Sequence, residues 1–337
     1  MEGYLQARTE HFYVLKFQYW SLIFFKLLIT AAMLIIGAIL LVDQELNLGQ
    51  FIAAEIVIIT VLAAVEKLIL SLDKAYDLLT SLEKLTKVTD KETEKGGSLM
   101  FEQGKEGVAI EMNDLSFGFQ EDQKILKNID LKIQTGQKLS ILGDAGSGKS
   151  VLLDLMTGSL EHQEGNLLVN GIPIRNYKLE SYRTHIGVFY HEQDIFNGTL
   201  LDNLTMGDTS ISTKELMELV EVVGLSSFIK SLPKGFDTML EPTGKGLSTI
   251  IAKKILLLRA FASRPELLLL DEPFELAGGE DCQKITNYLL QLKNTTIVVV
   301  TANLDFAKQT DQLIIMGNGQ IIHSGTPSEI LKKVGKA

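Results

Sequence analysis

One octapeptide carries two glycines, a lysine and a serine at the spacing G-x-x-x-x-G-K-[ST], with a third glycine between them, and this is the pattern of a phosphate-binding loop. Glycine lets the backbone turn tightly, so that successive N–H groups point at phosphate oxygens. We expect Lys149 to reach the β and γ phosphates of a nucleotide and the Ser150 hydroxyl to ligate Mg²⁺. The predicted nucleotide-binding residues are Gly143, Asp144, Ala145, Gly146, Ser147, Gly148, Lys149, Ser150 and Val151.

A second group of chemically useful residues follows a run of four leucines. Asp271 stands at the end of this run and can hold the Mg²⁺ shell, which makes it a predicted metal residue together with Ser150. Glu272 can orient or deprotonate a water molecule, and it is the predicted catalytic residue. An Asp-Glu-Pro turn can also simply end a strand. The phosphate-binding loop upstream favours the functional interpretation.

To hold these residues in position, the loop needs a strand before it and a helix after it. Residues 137–142 have the pattern of a short strand, and residues 151–156 have helical spacing, which places a positive helix terminus against the phosphates. Residues 266–271 and 296–301 are continuous apolar runs, as expected for buried parallel strands. The alternation of strands and helices predicts an α/β P-loop ATPase domain with a helical subdomain.

The most hydrophobic part of the chain lies before residue 73. Residues 19–42 contain a single charge, Lys26, and are long enough to cross a bilayer. Residues 51–72 carry more charge and are a borderline span alone. The connection 43–50 has no Lys or Arg, whereas basic residues flank the outer ends, so the positive-inside rule predicts a transmembrane helical hairpin with both ends cytoplasmic.

The predicted domain organisation follows from this contrast. Residues 1–90 form a transmembrane part with helices at about 17–42 and 51–88, residues 91–107 form a linker, and residues 108–337 form the nucleotide-binding domain. Glu55 within the second span would be costly against lipid. A structural polar contact and a role in a substrate pathway both remain open for it.

Composition excludes one class of partner. The formal net charge of the 337 residues is −10, whereas a nucleic-acid-binding surface needs clustered Lys and Arg. The single cysteine, Cys282, cannot form an internal disulfide, and a buried structural thiol in a reducing environment is the prediction for it.

The phosphate-binding loop, the leucine strand and the Asp-Glu-Pro turn together resemble the nucleotide-binding domain of ATP-binding cassette (ABC) transporters. The resemblance implies that Phe119 stacks on adenine and that ATP and Mg²⁺ are bound. The membrane hairpin is similar to the last two of six transmembrane helices in an ABC exporter half. The resemblance therefore covers nearly the whole chain, and it implies a plasma (inner) membrane protein with a cytoplasmic nucleotide-binding domain.

In this family, two nucleotide-binding domains dimerise head to tail, and each ATP lies between one phosphate-binding loop and the partner's Leu-Ser-Gly-Gly-Gln signature. The implied partners are thus a second ABC subunit, further transmembrane helices and membrane lipid. The corresponding residues here form a degenerate signature, because both glycines are replaced: Leu247, Ser248, Thr249, Ile250 and Ile251. We expect the β-branched Ile250 to obstruct close approach to the γ-phosphate.

Other departures from the family pattern fall on the chain's own site. His191 aligns with the Q-loop glutamine that contacts Mg²⁺ and water, although a small shift would bring Gln193 there. Ala302 stands where the family has a switch histidine, and residues 274–278 replace the D-loop sequence Thr-Ser-Ala-Leu-Asp. The binding residues persist while a γ-phosphate donor is lost, so slow hydrolysis is expected.

The sequence leads to one main hypothesis with two alternatives. The main hypothesis is an ABC exporter subunit that binds MgATP and contributes a degenerate nucleotide site to a dimeric transporter, with slow or partner-dependent hydrolysis. The first alternative is a membrane-anchored nucleotide sensor that transports nothing. The second is the C-terminal portion of an exporter half of nearly twice the length.

Overall fold

The computed structural model describes residues 2–91, 94, 96–102, 104, 107–120, 123–162, 164–190, 193–275 and 278–334. The chain divides into two compact units, Met1–Glu94 and Lys95–Ala337. The α-helices are α1 (Glu2–Val42), α2 (Leu48–Thr89), α3 (Lys149–Met156), α4 (Leu179–Arg183), α5 (Leu200–Thr205), α6 (Thr213–Val222), α7 (Ser226–Ser231), α8 (Thr249–Ala262), α9 (Gly279–Gln291), α10 (Leu304–Ala307) and α11 (Pro327–Val334). The strands are β1 (Ile110–Gln120), β2 (Gln123–Ile133), β3 (Lys138–Gly143), β4 (Glu164–Val169), β5 (Ile172–Pro173), β6 (Ile186–Phe189), β7 (Gly198–Thr199), β8 (Met239–Leu240), β9 (Leu267–Asp271), β10 (Thr296–Val300), β11 (Gln312–Gly317) and β12 (Gln320–Gly325).

The first unit is a hairpin of the helices α1 and α2. The second helix starts at a capping box, in which the Asn47 side chain accepts from the Gln50 N–H and the Gln50 side chain accepts from the Asn47 N–H. Gly37 is buried against the Phe51 ring, where an added Cβ would clash. Lys26 and Glu66 form an ion pair between the two helices. Backbone capping, close packing and one ion pair therefore define the hairpin.

Both helices are long and apolar enough to cross a membrane, over Phe12–Val42 and within Leu48–Thr89. Their large apolar side chains are mostly exposed within the unit. Contact with lipid or with other helices is needed to remove these side chains from water. The helices extend beyond the predicted bounds of 17–42 and 51–88, because the flanking polar segments also favour helix and no proline interrupts them.

The second unit contains a six-stranded sheet in the order β12-β11-β3-β10-β9-β6. The strands β11, β3, β10, β9 and β6 pair in parallel, and only the hairpin between β11 and β12 is antiparallel in this sheet. A four-stranded antiparallel sheet has the order β2-β1-β4-β5, and β7 pairs with β8. The predicted α/β class and the buried parallel strands are confirmed.

Alternating residues of the leucine strand pack into two separate cores. Leu267 and Leu269 belong to a cluster that includes the apolar face of α3 and the antiparallel sheet. Leu268 and Leu270 belong to a second cluster that includes α8 and the helices α5 to α7. The period-two geometry of a strand explains this division. The central sheet is thus buried on both faces, which fixes its carboxyl edge in place.

Candidate functional site

The carboxyl ends of β3, β9 and β10 are neighbours in the parallel sheet. Val300 at the end of β10 pairs with Asp271 of β9 on one side and with Ile141 of β3 on the other. The loops that leave these strands therefore meet at one edge. In open α/β sheets this edge is where ligands bind.

The loop after β3 has a backbone that only glycine accommodates well. The φ angles are +152° at Gly143, +77° at Gly146 and +93° at Gly148, all in the region that favours glycine. A Cβ at Gly143 would also clash with the carbonyl oxygen of Met316. Gly148 caps α3 without a side-chain hydrogen bond, so the first N–H groups of this helix remain available to an anion.

The Lys149 ammonium lies across this loop. Its Nζ donates to the carbonyl oxygens of Gly143 and Asp144, each at 2.7 Å, and to the Ser147 hydroxyl at 3.3 Å. These acceptors are neutral, and a phosphate oxygen accepts from an ammonium more strongly because both groups are charged. The arrangement places a cation where a bound phosphate would need one.

The Ser150 hydroxyl donates a hydrogen bond to Oδ2 of Asp271 at 2.7 Å. This contact joins the first turn of α3 to the last residue of β9. A hydroxyl and a carboxylate are hard oxygen ligands of the kind that Mg²⁺ prefers. Ser150 and Asp271 therefore fit a magnesium ion that, when bound beside phosphates, would neutralise their charge.

Glu272 adopts a left-handed backbone conformation, with φ of +50°, directly after β9. Its N–H donates to the Val300 carbonyl at 2.9 Å, and its Oε2 accepts from the Ala302 N–H at 3.1 Å. Burial raises the pKa of Glu272, and the hydrogen bond from Ala302 partly opposes this effect. A carboxylate with a raised pKa is a better proton acceptor, which suits a general base.

Two further groups near this edge belong to no motif in the sequence. Asp154 is one helical turn after Ser150, so both residues lie on the same face of α3. Burial raises the pKa of Asp154, and the nearby charge of Asp271 raises it further. Burial and then the charge of Asp154 raise the pKa of Tyr190. The four-residue spacing from Ser150 was the available signal for Asp154.

The Q-loop prediction has two parts. His191 lies outside the described residues. Gln193 is described, and its Nε2 donates to the Val188 carbonyl at 3.3 Å. The Gln193 Oε1 is buried and has no hydrogen-bond partner within the described part of the chain. The Gln193 side chain is thus held to β6 through its nitrogen, while its oxygen is left without a partner among the described residues.

The predicted adenine-stacking residue lies at the end of β1. Phe119 is 68% exposed and meets the Phe117 ring edge-on, with 5.2 Å between ring centroids. Phe117 pairs with Leu126, whose side chain packs below Gly148. These contacts connect the strand that carries Phe119 to the phosphate-binding loop, and the exposed ring offers a face for stacking.

The signature segment forms the exposed start of α8. Ser248 is the N-cap of this helix, and its Oγ accepts from the Ile251 N–H at 3.3 Å. Ile250 is 53% exposed there, while Leu247 packs partly into the second core. Among the described residues, no hydrogen bond joins Leu247, Ser248 or Thr249 to the phosphate-binding loop. This segment is therefore a separate surface from the phosphate site.

Residues 126–275 match the ABC transporter family. The chain is 30% identical to the alpha-hemolysin translocation ATP-binding protein HlyB of Escherichia coli O157:H7, over 88% of this chain and 42% of that protein. It is 28% identical to an ATP-dependent lipid A-core flippase of Saccharophagus degradans, over 67% of this chain and 39% of that protein.

A solved structure of a bacterial Atm1-family ABC exporter with ATP bound has a similar fold. The TM-score is 0.75 at 20% identity, and the alignment covers 91% of this chain and 56% of that one. The similar fold therefore extends beyond residues 126–275. The chain spans well under half the length of the two curated relatives described above.

Proposed function

We propose that this chain is the ATP-binding subunit of a membrane exporter. The premise is that the domain at residues 126–275 belongs to the ABC transporter family. The chain binds MgATP at the edge of the parallel sheet, hydrolyses it slowly, and acts with a partner subunit. The observation that carries the proposal is the Ser150–Asp271 contact beside the Lys149 ammonium, which brings a metal-binding pair and a phosphate-binding cation together.

The roles of the binding residues follow from their positions. The loop from Gly143 to Gly148 and the first turn of α3 hold the phosphates through backbone N–H groups, and Lys149 pairs with them. Ser150 and Asp271 hold Mg²⁺, and His191 is the further metal contact proposed from the family pattern. The exposed ring of Phe119 stacks on the adenine base.

The proposal of slow hydrolysis rests on the surroundings of Glu272. Its carboxylate is available as a base, but the neighbouring residue that would contact the γ-phosphate is Ala302, whose side chain has no hydrogen-bonding atom. Loss of one preorganised donor typically lowers a rate by about 10²–10³-fold. Glu272 can therefore take a proton, while transition-state charge on the phosphate is poorly stabilised.

The partner is a second ABC subunit with an intact signature. The N-terminus of α8 carries Ile250 in place of a glycine, so this chain offers a poor surface to a partner's γ-phosphate. Its own phosphate-binding loop keeps the groups that a partner's signature would cover. The proposed complex is thus asymmetric: one composite site has an intact signature, and the other has the degenerate signature of this chain.

The proposed location is the inner (plasma) membrane, with the hairpin of α1 and α2 in the bilayer and the nucleotide-binding domain in the cytoplasm. The support is the exposure of most of the described large apolar side chains on these helices, together with the basic residues outside the two spans. Further transmembrane helices from other sequence would complete the pathway. The transported solute contacts those helices, so this domain alone does not define it.

A test uses the full chain reconstituted in vesicles with candidate partner subunits. We expect ATP-dependent solute movement that requires both the chain and its partner, and that disappears with Lys149→Ala in this chain. Tight MgATP binding without solute movement in any combination would contradict the exporter proposal and favour a nucleotide sensor. Failure of the chain to bind MgATP would contradict both.

A further inference from the structure

A cavity of about 300 Å³ lies at the amino ends of β9 and β10, on the edge of the sheet opposite to the phosphate-binding loop. It is bordered by the C-terminal end of α8, by the C-terminal half of α9 and by the segment at Gly104. A volume of this size is at the lower end of the range for small-molecule sites. The phosphate site lies at the other edge of the sheet and shares no residues with this cavity.

Glu266 contributes an unbalanced carboxylate to this cavity. Its side chain is 5% exposed, and its Oε2 accepts from the Gly104 N–H at 2.8 Å. Its Oε1 is buried and has no hydrogen-bond partner within the described ranges. A buried carboxylate with one unpaired oxygen costs free energy unless a donor or a cation reaches it.

The described charged residues around Glu266 do not supply that cation. Arg264 also lines the cavity, but its guanidinium forms an ion pair with Glu215. Among the described residues of the lining, Glu266 is the acidic side chain and Arg264 is the basic one. Within the described part of the chain, no ion pair involves the Glu266 carboxylate.

Two aromatic residues also line the cavity. Phe261 of α8 and Tyr288 of α9 lie against each other, with 4.9 Å between ring centroids, and both line the cavity. Burial raises the pKa of Tyr288 to about 12, so the phenol is neutral at physiological pH. A carboxylate next to aromatic faces is the combination that binds organic ammonium groups.

We propose that this cavity is a binding site for a small organic ammonium compound. The ammonium group donates to Oε1 of Glu266, and its hydrocarbon part packs on Phe261 and Tyr288. The terminal torsion of Glu266 is soft, so one carboxylate oxygen can face the ligand while the other accepts from the Gly104 N–H. Because Oε2 of the same carboxylate holds Gly104, an occupant also contacts the segment that leads into β1.

The test measures binding of 2-phenylethylammonium to the full chain by calorimetry, with the neutral analogue 2-phenylethanol for comparison. We expect the ammonium compound to bind and the alcohol to bind at least about tenfold more weakly, because a charge-assisted hydrogen bond is lost. Glu266→Gln should lower affinity for the ammonium compound about tenfold or more and leave that for the alcohol unchanged. Glu161→Gln, at an exposed position, is the matched control.

A second variant tests the proposal independently in case Glu266→Gln does not fold. Tyr288→Leu keeps an apolar side chain at the position and removes the ring, so it should weaken the ammonium compound more than the alcohol. Equal affinity for the two compounds, or an unchanged affinity in Glu266→Gln, would overturn the proposal. Binding seen only in Lys105→Gln, at the residue after Gly104, would assign Glu266 to an internal ion pair and overturn it as well.

Discussion

Oγ of Ser150 lies 2.7 Å from Oδ2 of Asp271, and this hydrogen bond connects the phosphate-binding loop to the end of the leucine strand. Residues far apart in sequence thus place two oxygen ligands side by side before any nucleotide binds. A preorganised pair needs little rearrangement to accept a metal ion, and this lowers the free-energy cost of binding. Nucleotide binding is accordingly the best-supported activity of the site.

Lys149→Ala should weaken MgATP binding by about 10²-fold, because the substitution removes charge-assisted hydrogen bonds to phosphate. The measurement is equilibrium binding of labelled ATP to the full chain. Lys178→Ala removes an exposed lysine that pairs with Glu180 and should leave the affinity unchanged. Equal affinity of the Lys149 variant and the original chain would exclude the assigned role.

Ala302→His should raise ATP turnover by roughly tenfold or more, because an imidazole supplies the missing donor near the γ-phosphate. Ala302 is exposed, so the larger side chain has room, and its N–H can still bond to Glu272. Steady-state phosphate release is the measurement. Ala302→Leu adds bulk without a donor and should stay at the original rate, and a similar rise in both variants would refute this explanation.

The combined substitution of Thr249→Gly and Ile250→Gly should increase ATP-dependent dimerisation of the chain. Removing both side chains opens the exposed start of α8 to a neighbouring phosphate. Light scattering with and without MgATP gives the result. The matched pair Thr249→Ala and Ile250→Ala removes the β-branches but keeps a Cβ, and it should have a smaller effect. No change in either variant would show that the signature is not what limits association.

Glu272→Gln should stabilise the chain at neutral pH in the absence of nucleotide. The raised pKa means that the folded chain binds this proton more tightly than the unfolded chain does. The cost of ionisation therefore begins above the ordinary carboxyl pKa of about 4.3, grows as the pH rises through the folded-state pKa, and is complete above it.

Thermal unfolding at several pH values tests this dependence. The gain in Tm from Glu272→Gln should be present at pH 7 and vanish below about pH 4, where both states are protonated. Glu218→Gln, on the exposed face of α6, should give no such dependence. A gain that is the same at every pH would mean that the effect is unrelated to ionisation of Glu272.

The sequence was most informative where local chemistry dictates local structure. The glycine spacing from Gly143 to Gly148 favours positive φ angles, and the apolar runs before Asp271 and in β10 favour buried strands. Because the carboxyl ends of parallel strands share one edge, the meeting of these loops also followed from the pattern.

Other features depend on the tertiary fold and gave no local signal. The bond from the Ala302 N–H to Glu272 requires the exact register of β9 and β10. The unpaired oxygen of Glu266 depends on where Gly104 and Tyr288 are packed. Such contacts join residues far apart in the chain, and neither periodicity nor spacing encodes their distances.

The most direct test of the central claim compares MgATP binding with ATP hydrolysis in the purified full chain, using Glu272→Gln as the reference. We predict that both forms bind MgATP with similar affinity and that the original chain releases phosphate only slightly faster than the variant. Fast turnover in the original chain that disappears in Glu272→Gln would contradict the claim that this site binds ATP but hydrolyses it poorly.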